Sequence, residues 1–134
     1  MRITKSKDIY NLMKGILPKK GKKTIVSAGV GIIGLDSQQD VEFIEFTGYT
    51  AEKFNQNNNP SVWEPYKTTC FKKVRIMILV ETRLGINHDP TRDDRWFSKR
   101  QFDMGKLFSV YILDHLIMLD KSYYSMADNG ILGI

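Results

Sequence analysis

The sequence has a single cysteine, no apolar run of membrane-spanning length, and no apolar stretch of signal-peptide length before Pro18. A lone Cys70 cannot close an internal disulfide, and an unpaired thiol fits a reducing interior, where it serves as a small packing residue. The longest apolar runs, Ile76 to Val80 and Val110 to Leu113, are strand-sized and far short of the roughly 20 residues a bilayer requires. Met1 is followed by Arg2 and polar residues, which argues against export. The expectation is a cytoplasmic protein without membrane contact. There is also no internal repeat, low-complexity tract or linker, so nothing divides the 134 residues, and 42% hydrophobic content suffices for one core.

What is present is unevenly charged. Residues 1–23 carry eight basic side chains against the one acid Asp8, a local net of +7, which leaves the rest of the +5 chain near −2. The cluster Lys19, Lys20, Lys22 and Lys23 could neutralise phosphates and bind nucleic acid, or could be a solvated loop after a helix.

Hydrophobic periodicity gives the elements. Ile9, Leu12, Met13 and Ile16 share one helical face, closed by Pro18. Thr24 to Leu35 and Val41 to Phe46, separated by the polar Asp36 to Asp40, predict a β-hairpin. Alternation along its second arm puts Val41, Phe43 and Glu45 on one side and Glu42, Ile44 and Phe46 on the other. Val62, Trp63, Tyr66 and Cys70 suggest a ragged helix from Ser61. Val74 to Val80 reads as a covered central strand. A helix from Arg92 to Phe108 follows, then strands near Val110 to Leu119 and Ser122 to Ser125. The order αββαβαββ predicts a mixed sheet with helices packed on it.

The most informative segment runs Ile-Leu-Val-Glu-Thr-Arg-Leu-Gly-Ile-Asn-His-Asp-Pro-Thr-Arg-Asp-Asp from Ile78 to Asp94. Further along stand Lys99-Arg100, Gly105-Lys106-Leu107, Leu113-Asp114-His115-Leu116-Ile117 and Tyr123-Tyr124-Ser125, and near the start Ile3-Thr4 with Asp8-Ile9-Tyr10. This pattern resembles the RadC-type JAB/MPN (JAMM) domain family, which reads I-L-V-H-N-H-P-S-G-D-P-T-P-S-R-E-D over the first stretch. The resemblance implies an α/β fold, the three-layer α/β/α JAB/MPN-like (cytidine-deaminase-like) arrangement with a mixed, curved central sheet. It implies one domain over residues 1–134, without the separate helical domain that precedes it in the family.

In the family, two histidines and an aspartate hold zinc. Water fills the fourth position, a glutamate from a neighbouring strand serves as general acid/base, and a serine helps stabilise the tetrahedral intermediate. Here Glu81 and Arg83 stand in place of the histidines, Thr91 in place of the serine, and Asp94 is kept. A guanidinium offers no lone pair, and its fixed charge repels a divalent ion. Arg83 is therefore expected to fill the metal's place and pair with Asp94 and a nearby glutamate. Proline and glycine of the family's loop are also lost, at Leu84-Gly85-Ile86.

Plainer roles compete. Thr91 and Asp94 also form a capping-box pattern. Glu42, six residues before Gly48, matches the general acid/base best, with Glu45 as rival, and either could be an ordinary strand residue. His88 could join Glu81 and Asp94 as a displaced metal ligand. His115, beside Asp114, suggests a structural hydrogen bond. Trp96, Phe97, Phe102, Met104, Leu107 and Phe108 cover more than one helical face and hint at an interface, such as a homodimer.

Three functions follow: a catalytically silent domain binding protein or nucleic acid without a cofactor, a zinc-dependent (iso)peptidase-type hydrolase with altered ligands, and a nucleic-acid accessory protein working through its basic N-terminal segment.

Overall fold

A computed structural model describes residues 1–17, 19–21, 23–24, 29–47, 72–85 and 87–134. The helix expected from Ser61, with Cys70, lies outside the described residues.

Helix α1 spans Ser6–Ile16, with Ile9 and Met13 buried. Its start is fixed by Asp8, whose Oδ2 accepts the Thr4 and Lys5 backbone N–H groups at 2.9 and 3.2 Å. The basic segment after it pairs as a short antiparallel ribbon, β1 (Lys19–Lys20) with β2 (Lys23–Thr24), where the sequence had suggested only a loop. Lys22 lies outside the described residues.

Strands β3 (Gly29–Leu35) and β4 (Val41–Thr47) form the expected hairpin. Its turn is held by Asp36, whose Oδ1 accepts the Gln38 and Asp40 N–H groups at 2.8 and 2.9 Å. Simple alternation along β4 fails, however. Gly34 lies opposite Phe43 but Leu35 lies opposite Val41, so Glu42 is the extra residue of a β-bulge. Val41 therefore packs with Ile44 against the α1 core, while Phe43 packs into the other. The Phe43 ring packs so closely on Gly34 that a Cβ there would clash with it.

Strand β5 (Ile76–Thr82) pairs antiparallel with β3 and parallel with β6 (Tyr111–Met118), and β7 (Tyr123–Ser125) returns antiparallel to β6. The sheet order is β4-β3-β5-β6-β7, mixed as expected. Helix α2 (Arg92–Phe108) is the β5-to-β6 crossover. Met77 and Leu79 of β5 enter a core with Phe97 of α2, whereas Ile78 and Val80 enter a second core with Ile9 and Met13 of α1. The helices thus cover opposite faces, giving three α/β/α layers with β5 buried between them. No helix among the described residues is long and apolar enough to cross a membrane.

Candidate functional site

The C-terminal end of β5 and the first turn of α2 meet on one side of the sheet. Alternation puts Glu81 on the same face as Met77 and Leu79, beneath α2. Arg83 follows the strand, and its backbone N–H donates to the Met118 carbonyl at 3.1 Å, which extends the β6 ladder and fixes where the side chain starts. Beyond it Leu84 is exposed, and Gly85 has φ of 110°, a conformation that favours glycine.

Asp94 divides its two oxygens. Oδ2 accepts the Thr91 backbone N–H at 2.6 Å, and the Thr91 hydroxyl accepts the Asp94 N–H at 3.1 Å, so the capping box is formed. Oδ1 lies 2.7 Å from Arg83 Nη2, which also lies 3.0 Å from Glu81 Oε2. One guanidinium nitrogen therefore bridges two carboxylates. Both contacts are short charge pairs, and the one to Asp94 is the closer. Burial by itself would raise the Asp94 carboxyl. The Arg83 hydrogen bond, the Thr91 N–H and the guanidinium charge outweigh it and hold the group below the usual carboxylate range. Burial likewise disfavours the charged guanidinium, but Asp94 and Glu81 raise Arg83 above its ordinary value.

His115 extends the chain inward. It pairs with Leu79 in the parallel register, its fully buried imidazole lies edge-on to Phe97, and Nε2 is 3.6 Å from Glu81 Oε2. The hydrogen bond expected between His115 and Asp114 exists only through the backbone: Asp114 Oδ1 accepts the His115 N–H at 2.7 Å. The Asp114 side chain occupies the opposite face, accepting the Ser125 hydroxyl at 2.6 Å and the Ala127 N–H at 3.0 Å. Burial there pushes the Asp114 carboxyl up, against the pull of those donors. Placing His115 beside Glu81 required the β5–β6 register, which alternation within either strand does not supply.

The other candidates lie elsewhere. Glu42, in the bulge, lines a 440 Å³ cavity with Lys72, Arg75 and Ile76 at the opposite end of β5. Five residues of strand, roughly 16 Å, separate that level from Glu81, so Glu42 cannot serve the Arg83 site. The direction of β4 causes the error. Glu45, opposite Ile32 and level with Leu79, is nearer, but β3 stands between it and β5. His88 faces Asp89 at 3.4 Å and Tyr124 at a ring distance of 6.0 Å. Among the described residues, no three His, Cys, Asp or Glu side chains gather as a metal site. Lys19 is exposed on the β1–β2 ribbon.

The donor set does not fit zinc. The two carboxylates that could ligate it are both engaged by a permanently charged guanidinium, and His115 reaches only Glu81.

A family model described as RadC-like JAB domain matches residues 3–131. The chain is similar to a UPF0758 protein of Methanosarcina mazei, 23% identical over 134 residues, covering 98% of this chain and 54% of the relative. A UPF0758 protein of Methanosarcina acetivorans matches with the same identity and coverage, 23%, 98% and 54%. A UPF0758 protein of Syntrophotalea carbinolica is 42% identical over 43 residues, 32% of this chain and 19% of the relative. The chain spans about half the length of the two Methanosarcina relatives.

Proposed function

The chain belongs to the RadC-like JAB domain family, and on that premise we propose that it is a non-catalytic binding domain, with the Arg83 guanidinium standing where the family holds its metal. One observation carries this reading: Arg83 Nη2 lies 2.7 Å from Asp94 and 3.0 Å from Glu81, bridging the two acids as a cation would. A hydrolytic centre of this type needs an ion with an open coordination position to activate water. A guanidinium supplies charge and hydrogen bonds but neither a coordination position nor a Lewis acid. Glu42, at the far end of the sheet, supplies no general base to this place. What the arrangement does offer is rigidity, because it ties the β5 end to the α2 start without a cofactor. The domain then works through its surfaces, in the cytoplasm, by contact with a protein, a second copy or a nucleic acid.

Metal analysis tests the reading. Purified wild-type protein should carry no stoichiometric zinc, whereas the double variant E81H/R83H, which supplies two histidines beside Asp94, should bind one equivalent. Stoichiometric zinc in the wild type that disappears in D94A would overturn the proposal and restore the altered-ligand hydrolase.

A further inference from the structure

The outer face of α2 is not used by the site just described. Its buried side consists of Asp94, Phe97, Ser98, Gln101 and Gly105, and the turns between them point five cations outward: Arg92, Arg95, Lys99, Arg100 and Lys106. Two acids share that surface, Asp93 and Asp103. Asp103 draws Lys99 at 3.2 Å and Lys106 at 4.0 Å. Arg92, Arg95 and Arg100 form no ion pair with any described residue. Arg92 and Arg95 also lie in the first turn of α2, where the helix dipole disfavours positive charge and the capping carboxylate is already engaged by Arg83.

Trp96 stands among these cations. Helical spacing puts Arg92 one turn before it and Lys99 and Arg100 one turn after, with Arg95 about 100° round the helix from it. The Arg100 guanidinium lies 4.6 Å from the ring centroid, and the residue remains 42% exposed. The indole is therefore a flat platform steadied by one arginine and open to solvent, and of the cations around it Arg92, Arg95 and Arg100 have no acidic partner among the described residues.

We propose that this face of α2 binds single-stranded nucleic acid, with a base stacked on Trp96 and phosphates held by Arg92, Arg95 and Arg100. The combination of a stacking aromatic with surrounding cations is what sequence-tolerant single-strand binding needs. An acidic protein segment would satisfy the arginines but give the indole nothing flat to stack on, and a duplex keeps its bases inside the helix. The surface is distinct from the lysine ribbon of β1 and β2, and it stands whether or not Arg83 replaces a metal.

Fluorescence anisotropy of a labelled 20-nucleotide oligothymidylate, titrated with protein at several salt concentrations, tests it. Three phosphate contacts predict a slope near −2 in log K against log salt, about a 20-fold loss of affinity between 50 and 200 mM. W96A should bind about tenfold more weakly, while W96F should keep most of the affinity. R92A/R95A should flatten the slope by about 1.4. Melting curves of each variant establish that it is folded, and R92A/R95A, confined to exposed side chains, decides the matter if W96A is not. Four results would each overturn the proposal: no binding, equal affinity of wild type and a folded W96A, equal affinity for duplex or polyglutamate, or binding abolished by K19A/K20A/K22A/K23A but untouched by R92A/R95A.

Discussion

Replacing Arg83 with alanine would remove the only cation between Glu81 and Asp94 among the described residues and leave two carboxylates facing each other. Their oxygens are both within 3.0 Å of one nitrogen, so they lie within about 6 Å of each other. At the effective dielectric of a partly buried site, that separation corresponds to a repulsion of roughly 3 kcal/mol. Stranding a buried charge by deleting its partner costs about 3–5 kcal/mol in general. Arg83 is 19% exposed, so water entering the gap would screen part of this. The expected loss is therefore about 2–4 kcal/mol at pH 7, a fall in melting temperature of roughly 10 °C for a domain of this size. Urea unfolding followed by circular dichroism would measure it for wild type and R83A at pH 7 and pH 4.5. The difference should shrink at the lower pH, where one carboxyl takes up a proton. A cycle with D94N, which keeps a capping oxygen, isolates the charge coupling. A loss below about 0.5 kcal/mol at pH 7, or one that does not change with pH, would refute the bridging role.

Two buried aspartates should give opposite pH signatures. Asp94 is depressed below its ordinary 3.8, so the unfolded chain binds more protons. Its contribution is present above that value and lost as pH falls through the folded pKa, and the advantage of wild type over D94N should fade below pH 4 in denaturation curves. Asp114 is raised above 3.8, so its contribution is present below that value and lost as pH rises through the folded pKa. Wild type should therefore lose stability relative to D114N as pH climbs from about 4. Removing the cap in T91A should cost about 1 kcal/mol by the same assay. G85A should be destabilised by about 1 kcal/mol or more through strain at its positive φ, measured by thermal melting.

The legible parts of the molecule were those with a local signal. Helix α2 begins and ends where its capping pair and aromatic run said it would, and β5 was readable because only a strand covered on both faces is apolar at Met77, Ile78, Leu79 and Val80 alike. The meeting of Arg83 with Asp94 followed from the spacing of the family motif. The misplacement of Glu42 had a cause that period-two reasoning cannot see: the antiparallel pairing of β4 with β3 and of β3 with β5 puts the start of β4 level with Ile76, at the opposite end of β5 from Glu81. His115 beside Glu81 depends on the β5–β6 pairing, which itself slips between Met77 and Ile78. Both failures concern strand pairing, which tertiary packing sets and composition does not encode.

Asp94 spends one oxygen on the helix and one on the guanidinium, so its tenure is double. A substitution that discards the second duty still leaves the first, so helix capping alone would keep the aspartate whether or not a metal is held. In chains descended from the same design, an aspartate at this point is thus a poor witness to hydrolysis. The residue at position 83, which has no duty to the helix cap, is the better one.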